Sequence, residues 1–328
     1  MKNTPSASNE GHRGCIYSIV ITPDEEKIIS GGDFAIKIWE MESGTCLNTL
    51  EGHGKFVASL AITPDGKRLI SGSGDGTIKS WDVKTGCCLR TLEGHKMHVN
   101  TVVITPDGKI IVSGSGDRTI KLWDLQSGEC VQTVKGQPLQ FPSGVTSMVI
   151  SPSGEQIITV SNAIRIWDRA SGTCMMTFEH GPTYPNSIAV TPNGDKLVSA
   201  ECEAVEVDYR IEFKNHCIKI WDAKSGSCVK TLKGHADMID TVIVTPDGKK
   251  VISGSIDHTM RMWDLETGEC LRTFENPGRF IEAIAITADG KRIISNGGQT
   301  ADRGDSIKIW DVETGECVKT LEGQLDLE

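Results

Sequence analysis

The chain has 328 residues, a formal net charge of −10 and no basic stripe, which argues against a nucleic-acid backbone as its partner. It has no run of 18 apolar residues, and its first ten residues form no apolar segment, so we expect neither a membrane span nor a secretion signal. These features predict a protein of the cytoplasm that does not bind membranes.

Taken from its start, the chain opens on ten polar, turn-rich residues, which predict a flexible tail. A repeated plan follows and is clearest in residues 94–135, where four short runs rich in β-branched residues each end in a turn signal. These runs predict strands a, b, c and d of an antiparallel meander, at 99–104, 109–113, 119–123 and 129–134. Such a sheet is apolar on both faces, so it must pack against copies of itself.

The copies are marked by the seven tryptophans of the chain, each of which is followed by an acidic residue. They are Trp39, Trp81, Trp123, Trp167, Trp221, Trp263 and Trp310. A period of about 40 to 45 residues with GH and WD signatures is typical of four-stranded propeller blades. We predict blades at 11–51, 52–93, 94–135, 136–179, 180–233, 234–275 and 276–323, with insertions in blades 5 and 7 and a second tail at 324–328.

On these GH and WD signatures, residues 11–323 resemble the WD40-repeat family. The resemblance implies an all-β fold, a seven-bladed β-propeller of four-stranded antiparallel blades, and a non-enzymatic scaffold for protein–protein interaction that needs no cofactor. The shared TPDGK and WDxxTGxC runs resemble prokaryotic members, in which propellers are often appended to signalling proteins, so we expect a signalling or assembly context. We expect a monomer, and ring closure by packing of blade 7 against blade 1 alone.

The resemblance also implies a buried hydrogen-bonded chain in each regular blade. It joins a His before strand a, a Ser in strand b, an Asp in the b-to-c turn and the strand c Trp. Four blades carry the set: His12, Ser30, Asp33 and Trp39; His53, Ser71, Asp75 and Trp81; His95, Ser113, Asp117 and Trp123; His235, Ser253, Asp257 and Trp263. Ser, His and Asp could also form a catalytic triad, but the fourfold recurrence with an indole N–H favours a structural network.

Blades 4, 5 and 7 depart from this network, and every departure lies in a d-to-a or b-to-c connection. In a meander these connections emerge on one face of the disc, which we call the top face. The regular a-to-b and c-to-d turns emerge on the bottom face. All Phe and Tyr residues outside the strand d core lie in or beside top connections, so the top face is the predicted binding surface.

Strand a is innermost, so counting back from its end predicts which residues surround the mouth of the central channel. The rim residues are Phe56, His98, Tyr184, Met238 and Phe280, and the lining residues are Tyr17, Asn100, Asn186, Asp240 and Glu282. We call these ten residues the channel mouth. Aromatic and Met side chains beside polar groups are typical of a protein-binding hot spot, so we predict a protein or peptide partner here. Two alternatives stay open: the side chains only fill the channel, or Asp240 and Glu282 form an enzymatic or small-ligand site.

The blade 5 insertion, residues 201–215, alternates apolar and charged residues over 205–213. This period of two predicts a strand or an extended b-to-c hairpin with one apolar face, which either packs on the disc or meets a partner. Tyr209 and Phe213 of the insertion are further candidate partner-binding residues. Cysteine and histidine residues beside it lack the paired spacing of a zinc site, so no metal is predicted.

Seven of the eleven cysteines fall seven residues after a blade tryptophan, at the start of strand d. Equivalent positions in adjacent blades are too far apart for a disulfide, which needs Cα atoms within about 7 Å. We therefore predict free thiols that pack as small apolar groups, in a reducing compartment.

Overall fold

The structure is a computed structural model that describes residues 11–135, 144–178, 183–207, 210–276, 280–300 and 304–322. The described residues contain 28 strands, grouped into seven antiparallel sheets of four. Strands follow chain order within every sheet, so each sheet is the predicted meander. The predicted tails and Tyr209 lie outside the described residues.

The strands have the following bounds. Blades 1 to 4 contain β1 (Ile16–Ile21), β2 (Lys27–Gly32), β3 (Ala35–Glu40), β4 (Cys46–Glu51), β5 (Val57–Ile62), β6 (Arg68–Ser73), β7 (Ile78–Asp82), β8 (Cys88–Leu92), β9 (Val99–Ile104), β10 (Ile110–Ser115), β11 (Thr119–Asp124), β12 (Cys130–Lys135), β13 (Ser147–Ile150), β14 (Gln156–Val160), β15 (Ile164–Asp168) and β16 (Cys174–Phe178). Blades 5 to 7 contain β17 (Thr183–Val190), β18 (Lys196–Val207), β19 (Arg210–Asp222), β20 (Cys228–Lys233), β21 (Ile239–Val244), β22 (Lys250–Ser255), β23 (Thr259–Asp264), β24 (Cys270–Glu275), β25 (Ile284–Ile286), β26 (Arg292–Thr300), β27 (Gly304–Asp311) and β28 (Cys317–Leu321).

The first strands of the seven sheets contact one another in a closed order, from β1 through β5, β9, β13, β17, β21 and β25 back to β1. The sheets therefore form a ring around a central channel, and the prediction of an all-β, seven-bladed propeller is confirmed. In the part of the chain that the structure describes, no helix is long and apolar enough to cross a membrane.

Apolar side chains of adjacent blades form seven core clusters among the described residues, one at each blade interface. Between blades 2 and 3, Ile70 and Leu92 pack with Val99 and Trp123 of the following blade. Every blade tryptophan lies in this way against the preceding blade. Each sheet thus buries both faces, which explains the apolar residues on both sides of its strands.

The seam between blades 7 and 1 contains hydrogen bonds as well as apolar packing, so the expectation of closure by packing alone is wrong. Trp39 and Leu321 belong to one shared core cluster across this seam. In addition, the backbone N–H of Asp305 donates to the carbonyl oxygen of Gly14 at 3.2 Å. The long b-to-c connection of blade 7 brings Asp305 to this position.

The blade 5 insertion extends the hairpin of β18 and β19, and the expectation of one apolar face is wrong. The ladder runs as far as the pair Val207 and Arg210, so two residues separate the strands. Val205 and Phe213 belong to neighbouring rungs of this ladder, and they therefore lie on opposite faces. Because the connection has two residues, an odd-numbered residue of β18 pairs with an even-numbered residue of β19. The apolar residues at odd positions therefore lie on one face of the hairpin in β18 and on the other face in β19.

All eleven cysteines are free thiols in the structure. The expectation that the strand d cysteines pack as small apolar groups holds for Cys46, which is buried, and is wrong for the other six blades. The exposed equivalents are Cys88, Cys130, Cys174, Cys228, Cys270 and Cys317. Strand d is the outermost strand of each sheet, so no further strand covers them.

Candidate functional site

The four network residues of blades 2, 3 and 6 meet in one hydrogen-bonded chain. In blade 3, Trp123 Nε1 donates to Ser113 Oγ at 2.9 Å, and this oxygen lies 2.8 Å from His95 Nε2. The other ring nitrogen of His95 lies 2.9 Å from Asp117 Oδ2. The same order of contacts joins His53, Ser71, Asp75 and Trp81 in blade 2, and His235, Ser253, Asp257 and Trp263 in blade 6.

The geometry of this hydrogen-bonded network favours a packing role over nucleophilic catalysis. Ser113 is fully buried, and its hydroxyl oxygen already contacts Trp123 and His95. Burial lowers the pKa of His95, so its ring is neutral at pH 7. Burial raises the pKa of Asp117, but hydrogen bonds, led by the one from Thr119, outweigh it and bring that pKa to about 2. A neutral imidazole held by an ionised carboxylate fixes one tautomer and one packing.

Blade 1 corrects the expectation for Asp33. Trp39 and His12 contact Ser30 Oγ at 2.9 and 2.7 Å, as in the regular blades. The Asp33 carboxylate instead accepts a hydrogen bond from the backbone N–H of Cys15 at 3.1 Å, and no contact with His12 is present among the described residues. The b-to-c turn of blade 1 is one residue shorter than those of blades 2, 3 and 6, which moves the carboxylate away from the ring.

Blade 5 replaces the His and Asp of the network by an ion pair that sequence reasoning missed. Trp221 Nε1 donates to Ser199 Oγ at 2.8 Å, and this hydroxyl donates to Glu201 Oε1 at 2.6 Å. Lys219 Nζ lies 2.9 Å from the other Glu201 oxygen, which also accepts from Thr183. The sequence signal for this ion pair is the acidic residue two positions after the strand b serine.

In blade 7 the strand c lysine contacts an amide, whereas in blade 5 it contacts a carboxylate. Trp310 Nε1 donates to Ser295 Oγ at 3.0 Å, and Lys308 Nζ donates to Asn276 Oδ1 at 2.6 Å. Asn276 is fully buried and donates to the carbonyl oxygen of Asn296 at 3.3 Å. Asn276 was not among the network residues predicted from the sequence.

The inner strands of six blades surround an open cavity of about 300 Å³ at the top of the channel. Its lining consists of Tyr17, Phe56, Ala58, Thr146, Ser147, Asn186, Ser187, Asp240 and Glu282. The structure therefore brings together five of the ten predicted channel-mouth residues. The Tyr17 and Phe56 rings lie side by side across the interface of blades 1 and 2, with centroids 5.5 Å apart.

Acidic groups dominate the charge of this cavity. Asn186 Nδ2 donates to Asp240 Oδ1 at 3.2 Å, which links blade 5 to blade 6. Burial and then the charge of Glu282 raise the pKa of Asp240 to about 7. Burial, a hydrogen bond with Cys15 and nearby acidic groups hold the pKa of the Tyr17 phenol well above its usual value. The phenol is therefore neutral, and Asp240 takes up or releases a proton near pH 7.

The other predicted residues lie around this cavity rather than in it. Asn100 Nδ2 donates to the Val145 carbonyl at 2.8 Å and joins blade 3 to blade 4. The Phe280 ring stacks on His258, with centroids 5.5 Å apart. His98, Tyr184 and Met238 are half-buried at the rim, whereas Phe213 lies exposed on the blade 5 hairpin.

The repeats of this chain match the model of a known protein family. The model of the WD domain, G-beta repeat matches residues 3–40, 44–82, 86–124, 128–168 and 226–264, which together make up more than half of the chain. The chain belongs to the WD40 family. The matched residues leave out most of blade 5 and all of blade 7, the two blades that carry insertions and variant networks.

Two curated relatives share single repeats with this WD40 chain. Nuclear distribution protein PAC1 of Coccidioides posadasii is 43% identical over 44 residues, 13% of this chain and 9% of the relative. Eukaryotic translation initiation factor 3 subunit I of Scheffersomyces stipitis is 49% identical over 43 residues, 13% of this chain and 12% of the relative. The matched regions are thus a small part of each relative. Both relatives are eukaryotic, so they lend no support to a prokaryotic-type subclass.

Exposed aromatic residues of the WD40 chain gather on the top face. Within the described ranges, the exposed phenylalanines are Phe34, Phe56, Phe213 and Phe280, and all lie in top connections or on the blade 5 hairpin. Phe34 is 60% exposed and has a φ of 63°, a left-handed conformation that is costly for a bulky residue. Its place in the b-to-c turn is taken by Arg118 and His258 in other blades, at similar φ.

Two cysteines at the base of the blade 5 hairpin, Cys202 and Cys217, are buried. Burial and then the charge of Glu201 raise the pKa values of Cys202 and Cys217 to about 11, so both are protonated thiols at neutral pH. The described part of the chain contains no group of three or more His, Cys, Asp or Glu residues placed to hold a metal ion.

Proposed function

We propose that this WD40 chain is a non-enzymatic scaffold that binds a protein or peptide through the channel mouth and the surrounding top face. The observation that carries the proposal is the open 300 Å³ cavity bordered by the Tyr17 and Phe56 rings. Phe56 and Phe280 are 37% and 40% exposed, and large, partly exposed aromatic side chains beside polar groups are typical of binding hot spots.

An enzymatic site near Asp240 and Glu282 is less well supported. Acid–base catalysis needs these groups to converge with a nucleophile or a metal. The cavity lining provides no histidine or cysteine among the described residues, and His98 lies outside it. The names of the two relatives, a nuclear distribution protein and a translation initiation factor subunit, denote no enzyme.

A signalling or assembly role, a cytoplasmic location and a monomeric state complete the proposal. Eleven free thiols, seven of them exposed, favour a reducing compartment. Analytical ultracentrifugation of the purified chain tests the monomeric state, and a mass near 35.5 kDa is the expected result.

Affinity capture with three forms of the protein tests the binding surface. The forms are the wild type, Phe56→Ala/Phe280→Ala on the top face, and Leu89→Ala/Val131→Ala, which removes two more exposed apolar groups from outer strands. We expect the wild type and the outer-strand variant to retain the same protein, and the top-face variant to lose it. Equal retention by all three forms, after urea unfolding has shown equal stability, would contradict a top-face site.

A further inference from the structure

The channel mouth combines three features that bear on the chemistry of its occupant. Asp240 of blade 6 and Glu282 of blade 7 bring two carboxyl groups to one cavity. Tyr17 and Phe56 bring two aromatic rings from blades 1 and 2 to the same cavity. The cavity is open to the top face, and no Lys or Arg lies among its described lining residues.

We propose that the channel mouth receives one basic side chain, lysine or arginine, carried by the partner peptide. The inference rests on the proposed function, because it names the chemistry of the partner at that same site. Charge complementarity supports it, since a cation entering the cavity would meet the carboxyl groups of Asp240 and Glu282 together. The flanking rings suit the same ligand, because a cation is attracted to the face of an aromatic ring.

The electrostatics of the cavity agree with this occupant. Burial, the charge of Glu282 and, more weakly, that of Asp237 raise the pKa of Asp240, while the hydrogen bond from Asn186 lowers it. The charged forms of the two carboxyl groups therefore oppose each other. A basic side chain between them removes that repulsion, whereas an acidic side chain would add to it.

The carboxyl groups also disfavour a purely apolar occupant. An aliphatic side chain in this cavity would bury Asp240 further. It would displace water from the carboxyl group and would donate no hydrogen bond to replace that of the water. A basic side chain instead packs its aliphatic stem against Tyr17 and Phe56 while its charged end reaches the carboxyl groups. The cavity volume of about 300 Å³ leaves room for one such side chain.

Selection from a random peptide library displayed on phage tests the inference. The library is selected on the wild type and then sorted by binding to Phe56→Ala, Asp240→Asn and Glu129→Gln. Asp240→Asn preserves shape and removes the charge, and Glu129→Gln removes the same charge from an exposed turn on the bottom face. We expect peptides that need Phe56 to share one basic position, to lose binding to Asp240→Asn and to keep binding to Glu129→Gln.

Synthetic versions of the selected peptides complete the test. Replacement of the shared arginine by citrulline, or of lysine by acetyl-lysine, removes the charge and should weaken binding by at least about tenfold. Peptides that need Phe56 but have no basic position, or that tolerate the neutral replacement, would overturn the inference and leave the proposed function intact. A selection that yields no peptide dependent on Phe56 would overturn the proposed function and this inference together.

Discussion

The backbone N–H of Ile16 donates to the side-chain carboxylate of Asp305 at 3.1 Å, which joins the first and last blades across 289 positions of sequence. The same carboxylate accepts from the N–H of Gly298 at 2.9 Å within blade 7. One buried side chain therefore organises the blade 7 connection and attaches it to blade 1. Hydrogen bonds also join other neighbouring blades, but at the closing seam the acceptor is a buried carboxylate of the blade 7 connection.

Replacement of Asp305 tests this closure. We expect Asp305→Ala to lower the free energy of unfolding by about 1–3 kcal/mol, because it leaves the N–H groups of Ile16 and Gly298 without their acceptor. Urea unfolding measures the loss. Glu313→Ala, on an exposed turn of the same blade, should stay within about 0.5 kcal/mol of the wild type. Equal effects of the two variants would show that the Asp305 contacts contribute nothing to closure.

Ser80 provides a stabilising test of the core. It is 4% exposed in β7, and its hydroxyl has no hydrogen-bond partner in the part of the chain that the structure describes. The other six blades have apolar residues at the equivalent register position: Ile38, Leu122, Ile166, Ile220, Met262 and Ile309.

We expect Ser80→Val to raise the free energy of unfolding by about 1 kcal/mol, since it removes a buried hydroxyl that lacks a partner. The reverse exchange in the next blade, Leu122→Ser, should lower it by at least about 2 kcal/mol. Thermal unfolding of both variants measures whether each change raises or lowers the stability of the protein. A destabilised Ser80→Val protein would mean that the hydroxyl has a role in packing.

The buried ion pair of blade 5 predicts that Lys219 and Glu201 are strongly coupled in their effects on the free energy of unfolding. Lys219→Met leaves the Glu201 carboxylate buried without its cation, which should cost about 3–5 kcal/mol. The double variant with Glu201→Leu removes both charges and should recover most of that loss. A double-mutant cycle by urea unfolding measures the coupling, and additive single effects would contradict an ion pair.

The buried histidines predict loss of stability in acid. Burial lowers the pKa values of His53, His95 and His235, and burial with the charge of Lys37 lowers the pKa of His12 to about 3. Unfolded histidine binds a proton near pH 6.5, so below that pH the unfolded state binds more protons than the folded state. The free energy of unfolding should therefore fall as pH decreases from 6.5 towards 3.

Three aspartates add a second step to the loss of stability in acid. The pKa values of Asp75, Asp117 and Asp257 are about 2, below their unfolded value of 3.8, so their contribution disappears between pH 3.8 and 2. Urea midpoints measured from pH 7 to pH 2 test both steps. A midpoint that stays constant between pH 6.5 and 5 would show that the histidines are exposed.

The repeats made much of the fold predictable, because each blade carries its own tryptophan and turn signals. The network of blades 2, 3 and 6 was implied by the resemblance to the WD40 family, carried over onto the matching His, Ser, Asp and Trp of each repeat. The positions of Tyr17, Phe56, Asn186, Asp240 and Glu282 followed from counting along strand a. These features are local or periodic, so the position of a residue within its repeat predicts its position in the blade.

The errors arose where the period breaks. Asp33 lies in a b-to-c turn that is one residue shorter than those of blades 2, 3 and 6, which changes the partner of its carboxylate. Val205 and Phe213 lie on opposite faces because a connection of two residues reverses the alternation. Asp305 contacts residues nearly 300 positions away, and the count along one strand contains no information on such a contact. Glu201 and Asn276 lie in blades that lack the repeated His and Asp of the regular network.

The most direct test of a binding site at the channel mouth is hydrogen exchange of the wild-type protein with and without a selected peptide or a captured partner. Binding at the mouth predicts slower exchange at the amides of Phe56, Asn186, Asp240 and Glu282. The turns of the bottom face, such as residues 106–108 and 246–248, should exchange at unchanged rates. Slower exchange on the bottom turns or the outer strands, with no change at the mouth, would contradict the proposed site.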